Sequence, residues 1–153
     1  VIFAKTISVR RLLGQMLEEK SITKKYHAIV HGIPNDGVIN SPIEEKEAIS
    51  KLSVVKSIPS LQNGHLSLVQ LEPISGRTHQ LRIHCQLEGH AIVGDQTYEN
   101  ANGTFRNKGL FLTATELKFI HPITGQPIHV EIPIPNKFES LLKREFRRAE
   151  KYG

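Results

Sequence analysis

Apolar and polar residues follow a helical period at the start of the chain and a strand period directly after it. Residues 8–20 carry apolar side chains at the i, i+3, i+4 and i+7 spacing of a core-facing helix: Val9, Leu12, Leu13 and Met16. Ser8 precedes them and is a suitable N-cap. Residues 23–32 then alternate, with Tyr26, Ala28 and Val30 on one face, which predicts a strand.

A hairpin is predicted in the middle of the chain. Its strands cover residues 48–58 and 65–72, and Asn63-Gly64 between them is a strong signal for a tight turn joining antiparallel strands. The polar stretch before it, residues 33–47, begins with a cluster of turn-forming residues and predicts a surface connection.

The second half of the chain adds two helices and another hairpin. A short helix is predicted from a cap at Thr78 to Leu87, ending before Gly89, and strand alternation returns across residues 117–134. Asn136 is a suitable N-cap for a final amphipathic helix. Together the elements predict one α+β domain over residues 1–153, with a mostly antiparallel mixed sheet and flanking helices.

Composition is consistent with a folded domain. Of 153 residues, 39% are hydrophobic and 23% are charged, which excludes a disordered or fibrous chain. Apolar runs stay far below the roughly 20 residues that span a bilayer. The single cysteine, Cys85, cannot form an intramolecular disulfide, so we expect a cytoplasmic protein.

The charge balance suggests a partner. Lys and Arg outnumber Asp and Glu by 20 to 15, for a net charge of +5 at pH 7. Such a balance favours polyanions such as RNA or DNA. The basic final helix is an ordinary solvated face, or else adds a sequence-independent phosphate contact.

The segment Gly76–His84 holds the most unusual group of polar residues. In a helix capped at Thr78, His79, Arg82 and Gln86 share one polar stripe, and near the helix start free amides and a guanidinium favour an anion. The alternative is a solvated helix face with weak surface pairs.

Other candidate sites are weaker. A zinc site is not expected, because His79, His84, Cys85 and His90 lack a chelating spacing. Serine hydrolase, P-loop and dinucleotide-binding motifs are absent. Asp95 follows a glycine and is predicted to form a turn rather than act as a nucleophile. Tyr26 is either a core tyrosine with its hydroxyl at the rim or a platform for a stacked base.

Three motifs in order resemble the RluA family of RNA pseudouridine synthases: residues 25–32, residues 75–84 and residues 89–98. The resemblance implies that family's catalytic fold, isomerisation of uridine to pseudouridine in tRNA or rRNA, and no cofactor. The family's nucleophile is an aspartate in an H-R-L-D-x-x-T-S-G motif followed by an apolar strand. Because residues 1–6 resemble that strand, we expect the aspartate upstream of Val1 and expect this chain alone to be inactive.

The resemblance also assigns roles to residues. Tyr26 is similar to the tyrosine that packs against the target uracil, and Arg82 to the arginine that pairs with the nucleophilic aspartate. Arg77, His79 and Lys25 are predicted RNA contacts. We expect a monomer that binds structured RNA. The alternatives are a non-catalytic RNA-binding module and a structural domain whose basic surface binds nothing in particular.

Overall fold

The computed structural model describes residues 1–99, 105 and 108–153. Within these residues the chain forms three helices and six strands. In chain order they are α1 (Ile7–Glu18), β1 (Thr23–His31), β2 (Gly37–Asn40), β3 (Ile49–Ser60), β4 (Gly64–Pro73), α2 (Gln80–Leu87), β5 (Leu112–Ile120), β6 (Pro127–Glu131) and α3 (Asn136–Tyr152).

The six strands form one sheet in the order β2-β3-β4-β1-β5-β6. All five pairings are antiparallel. The first half of the sheet is built from neighbours in sequence, whereas β1 lies between β4 and β5. The predicted α+β class with an antiparallel sheet and flanking helices is confirmed.

The sheet buries a different cluster on each face. On one face, Ala28 and Val30 of β1 pack with Leu81 and Cys85 of α2. On the other face, Ile29 packs with apolar residues of α3, which are Phe138, Leu141 and Leu142. Because alternate strand residues point to opposite faces, α2 and α3 lie on opposite sides of the sheet.

The helices begin differently from the predictions. Thr6 rather than Ser8 caps α1, since its hydroxyl accepts a hydrogen bond from the backbone N–H of Val9 at 3.3 Å. Thr78 does not cap α2, because His79 precedes the helix with a left-handed backbone (φ 53°). Asn136 does not cap α3 either: it is the first helical residue, and Pro135 occupies the cap position without a side-chain bond.

The predicted surface connection contains a strand that the pattern missed. β2 has four residues, too few to establish an alternation, and is recognisable only by its pairing with β3. Within it Ile39 is buried and Val38 is exposed. Asp36 secures the preceding turn by accepting a hydrogen bond from Val54 N at 2.7 Å.

Among the described residues, no helix combines the length and apolar character required to cross a membrane.

Candidate active site

A cleft of about 240 Å³ opens on the α2 face of the sheet. Its walls come from β1, the end of β4, the segment leading into α2, α2 itself and the start of β5. The lining residues are Lys24, Tyr26, Pro73, Ser75, Gly76, Arg77, His79, Gln80, Leu81, Arg82 and Leu112. Tyr26 and Arg82, the two residues singled out most strongly by the motifs, therefore share one cleft.

Tyr26 presents both a ring and a hydroxyl to this cleft. Its ring packs against the core cluster beneath α2, as the core interpretation expected. Its hydroxyl makes no hydrogen bond to a described residue, and Tyr26 is one of the residues that line the cleft. Burial raises the pKa of Tyr26 above its ordinary value, so the phenol is neutral at pH 7.

A β-bulge lies next to Tyr26. The register between β1 and β5 shifts between Lys25 and Tyr26, which leaves Thr115 as the extra residue of β5. Thr115 is buried, and its hydroxyl lies 2.7 Å from His27 Nδ1 and donates to the carbonyl of Lys25 at 3.4 Å. Bulges bend a strand and redirect its side chains, so these bonds hold the local bend at which Tyr26 points into the cleft.

Arg82 is held by a buried carboxylate. Its Nε and Nη2 atoms each donate to Asp95 at 2.8 Å, one to each oxygen. Asp95 has no exposed side-chain surface and also accepts hydrogen bonds from the backbone N–H groups of Thr97 and Tyr98, both at 3.1 Å. Its predicted turn-forming role is confirmed, while its pairing with Arg82 was not predicted.

The pKa of each partner reflects this pair. Burial acts to raise the pKa of Asp95, but hydrogen bonds from Arg82, then from Tyr98 and Thr97, lower it below its ordinary value. The bond to Asp95 in turn raises the pKa of Arg82. Both groups are charged at neutral pH, so the guanidinium is fixed in place.

One edge of the Arg82 guanidinium stays available. Nη1 makes no hydrogen bond to a described residue, and Arg82 lines the cleft. A guanidinium carries five N–H donors in a rigid fork, so pairing with Asp95 through Nε and Nη2 leaves a second edge for another anion. Tyr98 lies against the same group, with its ring centre 5.1 Å from Arg82 Cζ.

Gln80 connects the cleft to the sheet beneath it. Its Oε1 accepts hydrogen bonds from Ser75 Oγ at 2.8 Å and Arg77 N at 3.0 Å. Its Nε2 donates to Ile49 O at 2.8 Å and to Ser50 Oγ at 2.9 Å. The side chain is buried, so these four bonds join β3, the segment before α2 and the first residue of α2.

His84 extends this network one turn later. Its Nε2 lies 2.8 Å from the carbonyl of Ser41, which only accepts, so Nε2 carries the proton. Nδ1 then accepts from the Ser50 hydroxyl at 2.8 Å. Together Gln80 and His84 fix the first turns of α2, the helix that carries Arg82.

Two cations besides Arg82 border the cleft. Lys24 is half-buried, forms no ion pair or hydrogen bond with a described residue, and has its pKa lowered by burial. Arg77 is exposed and donates from Nε to the carbonyl of Glu47 at 2.9 Å. Lys24, Arg77 and Arg82 are cations, and no carboxylate is among the described lining residues, so the charge of the cleft is suited to an anionic ligand.

Four of the five predicted site residues come together here: Tyr26, Arg77, His79 and Arg82. Lys25 does not, because it points to the other face of the sheet and pairs with Glu116 at 3.1 Å. Its predicted RNA contact stays a prediction. Two of the four residues considered as zinc ligands have other roles. His84 is hydrogen-bonded on both nitrogens, and Cys85 is buried in the core with its pKa raised to about 12.

Sequence reasoning missed Lys24, Gln80 and Tyr98. The alternation of β1 already assigns Lys24 rather than Lys25 to the face of Tyr26, so that residue could have been found. Gln80 and Tyr98 carried no such signal, because their partners lie on other elements.

Comparisons with known proteins show the family of this chain. Residues 1–87 match the family described as RNA pseudouridylate synthase, and the chain belongs to that family. The ribosomal large subunit pseudouridine synthase C of Vibrio vulnificus is 30% identical over 94% of this chain and 50% of its own length. The dual-specificity RNA pseudouridine synthase RluA of Haemophilus influenzae is 33% identical over 82% of this chain and 64% of its own.

Solved structures show the same relationship. Human RNA pseudouridylate synthase domain containing 1 superposes with a TM-score of 0.70 at 28% identity, covering 85% of this chain and 62% of that one. Human RNA pseudouridylate synthase domain containing 4 shares the fold, with a TM-score of 0.67 at 20% identity over 91% and 68%. The resemblance to the RluA family is thus confirmed, and the chain spans about half the length of curated relatives such as the Vibrio enzyme.

Proposed function

We propose that the protein is an RNA pseudouridine synthase that isomerises uridine in tRNA or rRNA. The observation that carries the proposal is the cleft that Tyr26 and Arg82 both line, in which the Tyr26 hydroxyl and Arg82 Nη1 make no hydrogen bond to a described residue. In this reaction the bond from ribose C1′ to uracil N1 breaks, the base turns, and C1′ joins C5. The proton leaving C5 balances the one gained at N1, so no cofactor is required.

The cleft residues have roles that match this chemistry. Uridine must leave its stack to react, which costs a few kcal/mol. The ring of Tyr26 offers a surface for the extruded uracil, and its neutral hydroxyl is suited to relay the proton that leaves C5, accepting it while donating its own. Lys24, Arg77 and His79 line the cleft and are suited to hold the flanking phosphates.

We propose that the nucleophilic aspartate comes from outside these 153 residues. Both aspartates of the chain are engaged: Asp36 accepts from Val54 N, and Asp95 is enclosed by Arg82 and two backbone amides. The free edge of Arg82 is suited to an incoming carboxylate, which a bidentate pair would keep ionised and aimed.

The test compares this chain with the same chain preceded by its upstream coding segment, using RNA labelled with 5-tritiated uridine. The extended protein is expected to release tritium, and the 153-residue chain is expected to bind RNA without release. RNA binding without release from the extended protein would establish the non-catalytic RNA-binding module instead.

Two substitutions in the extended protein separate the contribution of the Tyr26 hydroxyl from that of its ring. Tyr26→Phe keeps the ring and removes the hydroxyl, so tritium release is expected to fall by about 100-fold with RNA affinity within twofold. Tyr26→Ala removes the ring as well and is expected to weaken RNA binding by about 1–3 kcal/mol. Full activity in Tyr26→Phe would contradict a role for the hydroxyl.

A further inference from the structure

The outer face of α3 carries a cationic groove, far from the cleft. The groove measures about 420 Å³ and is lined by one helix: Ser140, Lys143, Arg144, Arg147, Arg148, Lys151 and Tyr152. At about 100° per residue its five cations cover roughly 140° of the helix surface. We call Lys143, Arg144, Arg147, Arg148 and Lys151 the cationic face.

The acidic residues of α3 leave this face strongly positive. Glu145 is buried beneath it, 2% exposed, and Glu139 binds Lys56 at 2.8 Å and lies 3.9 Å from Lys143. Glu150 falls at the edge of the face by its helical position, next to Lys143. Arg147 and Lys151 form no ion pair or hydrogen bond with a described residue, so their charge is available to a ligand.

The buried Glu145 also orders the face. Its Oε2 accepts a hydrogen bond from Ser60 Oγ at 3.1 Å, which ties it to the end of β3. Its Oε1 lies 3.4 Å from Arg148 Nη1 and 3.6 Å from Arg144 Nε. A carboxylate fixed from below thus holds two arginines in place, which lowers the entropy that a ligand must remove.

The exposed surface of the helix is mainly charged, and its exposed apolar residues, Phe146 and Tyr152, lie about 120° apart around the axis, so they form no continuous apolar side. Its apolar side is used by the core, where Phe138, Leu141 and Leu142 are each at most 2% exposed. A helix that inserts into a membrane interface needs that apolar side free. The favoured ligand is therefore a polyanion that needs only regularly spaced charge.

We propose that the cationic face binds RNA phosphates at a second surface, on the side of the sheet opposite the cleft. Cations four residues apart along a helix are about 6 Å apart, so Lys143, Arg147 and Lys151 form a row that can follow a phosphate backbone. The choice of RNA as the polyanion rests on the proposed function. A bound RNA is expected to contact both faces only when it is long and folded.

The test removes two charges from the face and two from elsewhere. The face variant combines Arg147→Gln and Lys151→Gln, and the control variant combines Arg11→Gln and Lys51→Gln. Arg11 and Lys51 are exposed cations outside the cleft and the face, and neither forms an ion pair with a described residue. Binding of a folded tRNA to the 153-residue chain is measured by filter binding across a salt series.

The face variant is expected to bind tRNA about tenfold more weakly near 0.1 M salt and to lower the salt slope by about 2. The control pair is expected to stay within twofold, and both variants should bind a short uridine-containing oligonucleotide as the parent does. A variant that keeps both charges, Arg147→Lys with Lys151→Arg, should bind tRNA as the parent chain does.

Equal losses in the two double variants would overturn the proposal, since net charge alone would then account for binding. Unchanged tRNA affinity in the face variant would also overturn it, and binding of the parent chain to phosphatidylserine vesicles would then assign the face to a lipid surface. Because the readout is binding, it is separate from isomerisation: loss of tRNA binding in the face variant without any tritium release by the extended protein would retain this surface and reject the proposed function.

Discussion

At the scale of single residues, Asp95 shows how a turn residue supports a cleft. Its carboxylate is enclosed by one guanidinium and two backbone amides, so no exposed charge is left over. Hydrogen bonds to a charged group contribute more than neutral ones, about 1.5–3 kcal/mol each. The pair therefore orients Arg82 and at the same time stabilises the turn after Gly94.

We expect replacement of the Asp95 carboxylate to cause a pH-dependent loss of stability. Asp95→Asn is expected to lower the free energy of unfolding by about 2 kcal/mol at pH 7, because Arg82 loses its charged partner. The folded pKa of Asp95 lies below its unfolded value of about 3.9, so its contribution is present above that pH and is lost as pH falls through the folded pKa.

Urea unfolding of the parent and Asp95→Asn chains at pH 7 and pH 3 measures this. The difference in unfolding free energy between the parent and Asp95→Asn chains should be smaller at pH 3 than at pH 7. Asp36→Asn is the control, since this carboxylate is exposed and binds a single backbone amide. A difference that stays constant with pH would show that the charge of Asp95 does not contribute.

At the scale of elements, α2 is a short helix held by buried polar contacts as well as by apolar ones. It has eight residues, too few for an isolated helix to be stable, and it begins without a side-chain cap. Leu81 and Cys85 supply the apolar contact that its spacing predicted. Its start is set by Gln80 and by the left-handed backbone of His79, neither of which periodicity can indicate.

Two glutamines of α2 form a matched pair for testing this. Gln80→Ala removes four hydrogen bonds and leaves buried partners unsatisfied, so the free energy of unfolding is expected to fall by about 2–3 kcal/mol. Gln86→Ala, on the exposed side, should change it by less than about 0.5 kcal/mol. Similar values in thermal or urea unfolding would refute the positioning role of Gln80.

At the scale of the whole molecule, the segment after α2 joins the centre of the fold to β5. The Val93 carbonyl accepts a hydrogen bond from Phe111 N at 3.0 Å, and its N–H donates to Ile29 O at 2.8 Å, so Val93 is bonded both to β1 and to the chain entering β5. Gly94 follows with φ +80°, and a Cβ there would lie 1.9 Å from the carbonyl oxygen of Gly109. Two backbone segments thus approach more closely than a side chain permits.

Gly94→Ala is expected to destabilise the protein by about 3 kcal/mol or more, through backbone strain and the clash with Gly109. Gly14→Ala is the matched control. It lies in the exposed middle of α1 with nothing within 4 Å of its Cβ position, so it should stabilise the protein by about 0.5–1 kcal/mol. Thermal melts of both variants check the opposite signs, and a stabilising Gly94→Ala would contradict the close approach.

The sequence by itself determined the features that depend on the local pattern of apolar and polar residues. The alternation around Tyr26, the Asn63-Gly64 turn and the spacing of Leu141 and Leu142 are properties of neighbouring residues, so strands, hairpins and helices could be located from them. Motif resemblance then added the family and singled out Tyr26 and Arg82 as candidate site residues.

Only the tertiary structure decided which distant residues meet. Strand β2 exists through pairing with β3, Asp95 is buried because Arg82 reaches it, and Glu145 is buried beneath a row of cations. A carboxylate gains from burial only once its partners are in place, and those partners come from other turns and strands. The pattern of apolar and polar residues within one segment therefore does not indicate which distant residues will contact it in the folded protein.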